Sequence, residues 1–248
     1  MCNFARNLYS NGMKYAIIAA GEGSRLAAEG VTEPKPLVTV AGERMIDRLI
    51  RIFMEHDAEE IVIVCNEQMT AVASHLVHLQ RDGLKGRPVP LRFLVKTTPS
   101  SMHSFHEVSQ YLNDGPFILT TVDTVFREDE FADYVKAFSE SSSLLFPVTD
   151  FIDDEKPLYV GTDGDLNITG FHDENNGYRY VSAGIYGLLP GCIHVLHECV
   201  ERGERRMRNF QRALLAEDLK IKAFPMSKVF DIDHASDIRK AEQFLRQS

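Results

Sequence analysis

No stretch of this 248-residue chain stays apolar for the ~20 positions that a membrane span requires, and Met1 to Gly12 lacks the apolar core of a secretory signal. No membrane partner is expected, and the protein should be cytoplasmic. Cys2, Cys65, Cys192 and Cys199 form no Cys-x-x-Cys pair, which predicts four reduced thiols in a reducing compartment. Positive charge is also scarce: 27 Lys and Arg stand against 36 Asp and Glu, a net charge of −9, whereas a general nucleic-acid binder carries a basic footprint. No nucleic-acid partner is therefore expected. The pairs His75/His78, His103/His106 and His194/His197 are each three apart on predicted helices, yet none forms a His-Glu-x-x-His zinc motif. They read as helix-surface or core-edge positions. Internal repeats and low-complexity tracts are absent.

What the chain does have is concentrated between Tyr15 and Gly42. Tyr15 to Ala20 reads as a short buried strand, and Gly21-Glu22-Gly23-Ser24-Arg25 follows where an α/β chain turns over the carboxyl edge of its sheet. Glycines there let backbone N–H groups approach phosphate oxygens, because no Cβ intervenes and positive φ costs little. Arg25 adds a planar fork of donors. A dinucleotide fingerprint would need a third glycine where Leu26 stands, and a P-loop would need Gly-Lys-Ser/Thr, which is missing. A lone Gly-x-Gly also serves simply to shape a tight turn. Lys35, locked between Pro34 and Pro36, reads as displayed rather than buried.

With 44% apolar residues the chain can bury one substantial core. Strand and helix patterns alternate: helix Met45 to His56, strand Glu60 to Cys65, helix Thr70 to Leu79, strand Leu91 to Val95, helix Met102 to Leu112, and strand Phe117 to Val122. Helix Glu128 to Phe138 and strand Leu144 to Val148 follow. This predicts an α/β fold with a Rossmann-like, mixed but mostly parallel sheet flanked by helices. Leu158 to Thr162 and Leu166 to Phe171, joined by Asp163-Gly164, read as an antiparallel hairpin insert. Val181 to Leu188 reads as one strand, and Ile193 to Glu201, Gly203 to Arg212 and Ser236 to Arg246 as helices, with a strand at Ile221 to Phe224. Residues 1–12 are expected to be a flexible extension, with Met13 an alternative start. Residues 13–248 are expected to form one domain, with a nucleotide-binding half at about 13–149, an acceptor lobe at about 150–190 and a closing segment at about 191–248.

Four segments in order carry a resemblance. Gly21-x-Gly23-Ser24-Arg25-Leu26 with Pro34-Lys35-Pro36-Leu37, Phe117 to Asp123, Val181-Ser182-Ala183-Gly184-Ile185-Tyr186, and Val229-Phe230-Asp231-Ile232-Asp233 resemble the nucleotidyltransferase family typified by sugar-1-phosphate nucleotidylyltransferases. The resemblance runs from about Tyr15 to about Leu245. It implies attack of a phosphomonoester oxygen on the α-phosphorus of a nucleoside triphosphate, with release of pyrophosphate. All reacting groups are anionic, so such a site supplies positive charge and in-line geometry rather than a covalent nucleophile.

The resemblance assigns Arg25 to the β- and γ-phosphates and Lys35 to charge developing on the α-phosphate, with Ala19, Ala20, Gly21, Glu22, Gly23 and Ser24 lining the nucleotide. Asp123 is expected to bind Mg²⁺. Asp231 is the first candidate for a second carboxylate and Asp233 the next, since alternation along a short strand puts both on one face. An aspartate after an apolar strand also serves as a turn or cap residue. Thr98 and Ser101 stand where the family has a glycine-rich base-contacting loop; a helix N-cap at Ser100 or Ser101 is the competing reading.

Two departures bear on the acceptor. The family's lysine after the hairpin's Gly-Phe is replaced, since Gly170-Phe171 is followed by His172-Asp173-Glu174, and Val181-Ser182 stands where an asparagine commonly contacts the sugar. A small alcohol phosphate, used with CTP as in cytidylyltransferase relatives, therefore competes with a sugar-1-phosphate. A catalytically silent nucleotide sensor is the reading from another class. Arg179, Lys156 and Arg205, with Arg206 and Arg208, are the expected cations for the acceptor phosphate. Arg205, Arg208 and Arg212 are spaced to share a helix face that grips either an anionic acceptor or a neighbouring subunit in a homo-oligomer.

Overall fold

The computed structural model describes residues 12–153 and 155–246, so the expected 1–12 extension, Cys2 included, lies outside the described residues apart from Gly12. A ten-stranded sheet forms the centre. Its order from one edge is Ile168–His172, Tyr159–Thr162, Tyr180–Ser182, Leu144–Thr149, Ile185–Leu188, Phe117–Thr121, Lys14–Ala19, Glu60–Cys65 and Leu91–Val95, with Ile221–Met226 running alongside Leu144–Thr149. Lys14–Ala19 lies parallel to both Phe117–Thr121 and Glu60–Cys65, and the latter is parallel to Leu91–Val95. The hairpin insert pairs antiparallel at the far edge, His172 opposite Tyr159.

The apolar run that begins the sheet is buried on both faces, as a parallel strand must be. Ala16 and Ile18 join one core with Met102, Phe105, Leu196 and Phe210, whereas Tyr15, Ile17 and Ala19 join the other with Ile46, Leu49, Phe53, Leu76 and Phe131. Helices Met45–Glu55, Thr70–Asp82 and Glu128–Ser139 therefore cover one face, and Ser101–Ser109, Cys192–Glu201 and Met207–Ala216 cover the other. A third, smaller cluster unites Leu26, Val40, Val125, Phe230, Ile232, Ala241 and Phe244. It ties the glycine loop, the Asp123 segment and the closing helix Ala235–Arg246 into one unit.

Two elements differ from the sequence expectation. Val181 to Leu188 is not one strand: Tyr180–Ser182 pairs with Leu144–Thr149 and Ile185–Leu188 with Phe117–Thr121, and the chain bends between them at Gly184, φ 71°. That left-handed conformation is open to glycine at no Cβ penalty. The basic helix begins at Met207 with Arg206 as its N-cap, so Arg205 and Arg206 precede it and the expected shared face reduces to Arg208 and Arg212. Cys65, Cys192 and Cys199 are buried free thiols. Among the described residues no helix is long and apolar enough to cross a membrane.

Candidate active site

Three parallel strands end together. Lys14–Ala19 runs into the glycine loop, Glu60–Cys65 into Asn66, and Phe117–Thr121 into Asp123. Gly23 precedes the short helix Ser24–Ala28 at φ 63°, and a Cβ built on it would stand 2.9 Å from the Lys35 Cβ. The glycine is thus demanded twice, by its conformation and by the approach of the lysine. That packing corrects the expectation for Lys35: it is 8% exposed, buried at the head of the turn Lys35–Leu37 rather than displayed.

Lys35 Nζ pairs with Asp123 and lies 2.7 Å from Asp233 Oδ1, while an Arg25 guanidinium nitrogen lies 2.5 Å from Asp233 Oδ2. Burial opposes the Lys35 charge, but the two carboxylates outweigh it and its pKa is raised. The ammonium is kept charged. Asp123 Oδ1 is buried with no hydrogen-bond partner. Asp231 pairs with Thr124 in a two-stranded ladder, and the Ile232 N–H donates to the Asp123 carbonyl at 3.1 Å, so the Asp123 and Asp231 segments run side by side. The ladder strand ends at Asp231. Asp231 and Asp233 therefore do not share one strand face as expected; Asp233 bridges the two cations instead. Among the described residues, no group of three or more His, Cys, Asp or Glu is assembled that could hold a metal on protein ligands alone.

A cavity of about 330 Å³ opens over the strand ends, lined by Ala20, Gly21, Glu22, Gly23, Lys35 and Asp123, with Thr98 and Ser101 on its far wall. No atom lies within 4 Å of the point where a Gly21 Cβ would project. Ala19 is not part of this wall: strand alternation turns it into the opposite core. Ser24 lines an adjoining cavity together with Glu22, Gly23 and Lys35. Ser100 is the N-cap of Ser101–Ser109, accepting from the His103 N–H at 3.4 Å, and the Thr98 hydroxyl is 2.6 Å from that of Ser104. Sequence reasoning missed Asn66. Buried at 2% exposure, it donates to the Ala20 carbonyl at 3.2 Å and accepts from the Gln68 N–H and the Thr97 hydroxyl, both at 2.9 Å. Its place after an apolar strand, like that of Asp123, was the available signal.

A second cavity, about 180 Å³, is lined by Arg25 and Asp233 of the same ion-paired cluster together with Asp231, Asp153, His234 and Lys240. None of Lys156, Arg179, Arg205, Arg206 and Arg208 lines it. Neighbouring acids account for two of these. Arg179 is 3.2 Å from Asp150 and stacks over Tyr180, and Arg208 pairs with Asp173 while donating to the Lys156 carbonyl. Arg205 is exposed. His234 Nδ1 lies 2.6 Å from Glu29 Oε1, which raises the histidine's pKa. Of the histidine pairs, His106 and His197 meet edge to face at 4.8 Å.

A glycine loop, a buried lysine and an aspartate gathered at the carboxyl edge of a largely parallel sheet define a nucleotide-handling α/β protein. The chain belongs to the nucleotidyl transferase family, whose model matches residues 14–248. It is 27% identical over 152 residues to the glucose-1-phosphate cytidylyltransferase of Salmonella typhimurium, a match covering 53% of this chain and 59% of that protein. It thus spans less than two thirds of that relative. A UTP–glucose-1-phosphate uridylyltransferase of Haloferax volcanii is 25% identical over 244 residues, 95% of this chain and 97% of the relative. The fold is also that of the inositol-1-phosphate CTP transferase of T. maritima, with a TM-score of 0.76 at 18% identity over 96% of this chain and 98% of that one.

Proposed function

We propose that the chain transfers a nucleotidyl group from a nucleoside triphosphate to a phosphomonoester, with Mg²⁺ assisting and pyrophosphate leaving. One observation carries this reading: two cavities adjoin a single cluster of Arg25, Lys35, Asp123, Asp231 and Asp233. The larger takes the triphosphate and the smaller the acceptor. An acceptor phosphate oxygen forms a new bond to the α-phosphorus as the bond from that phosphorus to the α–β bridging oxygen breaks, and the electron pair leaves with pyrophosphate. Lys35, held charged by its carboxylates, offsets the negative charge that grows on the α-phosphate. Arg25 grips the outer phosphates with its planar fork. Both cations are engaged by Asp233, so phosphate oxygens would take over positions that a carboxylate fills.

The donor set fits a magnesium ion. Asp123 offers a buried carboxylate oxygen without a partner, and Asp231 lies on the neighbouring ladder strand. Mg²⁺ takes oxygen ligands and is commonly held by one or two carboxylates together with substrate phosphates. When bound, it would neutralise phosphate charge. Two relatives are named for glucose-1-phosphate, one with UTP and one as a cytidylyltransferase, and both specificities are carried here as candidates. A matrix of the common NTPs against glucose-1-phosphate and small alcohol phosphates, scored by pyrophosphate release, tests the reading. Nucleotide binding without pyrophosphate from any pair would favour the silent sensor.

A further inference from the structure

We infer that Lys240, on the closing helix, is the side chain that receives the phosphate of the second substrate; the inference rests on the two-substrate reading above. A phosphate entering a partly enclosed cavity without a cationic partner is strongly disfavoured. Among the described residues lining the smaller cavity the cationic side chains are Arg25, His234 and Lys240. Arg25 also lines this cavity, but its guanidinium is paired with Asp233 at 2.5 Å and is the group assigned above to the outer phosphates of the triphosphate. His234 directs Nδ1 to Glu29 and Nε2 toward Glu155 at 3.7 Å, and its charge varies with pH. Lys240 is the remaining permanent cation.

Its surroundings suit an exchange of anions. The Lys240 ammonium lies 2.8 Å from Asp153 Oδ2 and 3.3 Å from Asp237 Oδ1, already donating to anionic oxygens. The two partners differ in how they are fixed. Asp237 caps its own helix, accepting from the His234 N–H at 2.8 Å and the Asp233 N–H at 3.3 Å, and its side chain is 13% exposed. Asp153 belongs to the connection after Leu144–Thr149, and its side chain is 39% exposed. Asp237 anchors the lysine, and Asp153 is the carboxylate that a phosphate displaces. Ser236, Asp237 and Lys240 share one helix face toward the cavity, while Ala241 and Phe244 on another face are packed into the small apolar cluster. The helix is thereby fixed with Lys240 beside the cavity that Asp231 also lines. Asp153, Glu155, Asp231, Asp233 and Asp237 surround this space, so loss of Lys240 would leave it strongly repulsive to a phosphate dianion.

The test has two arms on the full chain. In the first, isotope-labelled lysine side chains are followed by NMR as inorganic phosphate is titrated in, the Lys240 signal being identified by its loss in Lys240→Arg. A saturable Lys240 shift, not reproduced by sodium chloride at equal ionic strength, is expected; a Lys240 signal that ignores phosphate or answers equally to chloride overturns the assignment. In the second, Lys240→Met should raise the KM for glucose-1-phosphate at least tenfold with the nucleotide KM within twofold, and Lys240→Arg should recover most of the loss. Both KM values rising together, or neither, contradicts the role. A wild-type protein that turns over no NTP and acceptor pair would sink the two-substrate reading, and the phosphate titration alone would then decide Lys240.

Discussion

The two cavities adjoin one ion-paired cluster but are built from different materials. The larger is made of strand ends: the Gly21–Gly23 loop, Asn66, Lys35 and Asp123, bound by short contacts to backbone, such as the Asn66 amide on the Ala20 carbonyl. The smaller is walled by charged side chains brought from distant segments, with Lys240 reaching Asp153 across 87 residues and His234 reaching Glu29 across 205. A wall built on sheet ends is rigid and indifferent to what lies outside it. A wall of paired charges can trade one partner for another, which suits a subsite whose occupant differs between relatives. On the proposed function, the chemistry and the choice of acceptor would be held by separate parts of the fold.

If that division holds, changes at the strand ends, and at the cluster that both cavities adjoin, should abolish chemistry without altering acceptor preference. Asp123→Asn and Asp231→Asn should each cut Mg²⁺-dependent pyrophosphate release by ~10³-fold or more, the equivalent of several kcal/mol of metal-stabilised charge. Circular dichroism should show both variants folded; an active Asp231→Asn beside an inactive Asp233→Asn would reverse their roles. Lys35→Ala should lower kcat by roughly 10²- to 10³-fold while nucleotide KM changes far less, since its charge acts mainly as the transition state forms. Unchanged turnover would remove Lys35 from the mechanism.

The contrast also explains what was legible in the amino-acid sequence. Gly23, Arg25, Lys35, Asp123 and Asp231 fall within short contiguous patterns, and backbone geometry then decides where they lie. Ala19, which the resemblance assigns to the nucleotide, has its side chain on the opposite face from Ile18 and Ala20, because a strand alternates. The Val181 to Leu188 strand was read through Gly184, whose presence marks the bend. The cations that line the smaller cavity are illegible in the sequence for a different reason. Arg179 and Arg208 are claimed by Asp150 and Asp173, and Lys240 reaches the cavity only through the packing of the last helix. No local spacing announces such pairings.

Smaller effects sharpen the comparison. Asn66→Ala leaves the buried Ala20 carbonyl without its partner and removes the links to the Gln68 N–H and the Thr97 hydroxyl, at a cost of about 1–3 kcal/mol, and should lower Tm by roughly 2–12 °C. An unchanged melting curve would mean that the strand-end wall does not depend on this link. Asp233→Asn frees Arg25 and Lys35 from a competing carboxylate, so in the absence of divalent ions it should tighten NTP binding about tenfold, or ~1.4 kcal/mol. Calorimetry showing equal or weaker binding would contradict the bridging role. The smallest effect belongs to His234. Its pKa is raised by Glu29, so its contribution to stability is fully present below the ordinary histidine value of about 6.5 and fades as pH rises through the raised value. Wild-type Tm should therefore fall slightly more between pH 6 and pH 8 than that of His234→Gln, and parallel pH profiles would show that the pair adds nothing.

Pyrophosphate release decides whether the chain transfers a nucleotidyl group to a phosphomonoester. Wild-type protein is incubated with each common NTP, with and without Mg²⁺, and with glucose-1-phosphate or a small alcohol phosphate. Pyrophosphate is expected only when an NTP, a phosphomonoester and Mg²⁺ are all present, and its release should be lost in Lys35→Ala. Nucleotide binding with no pyrophosphate from any combination, or pyrophosphate that appears equally without an acceptor, would contradict that transfer.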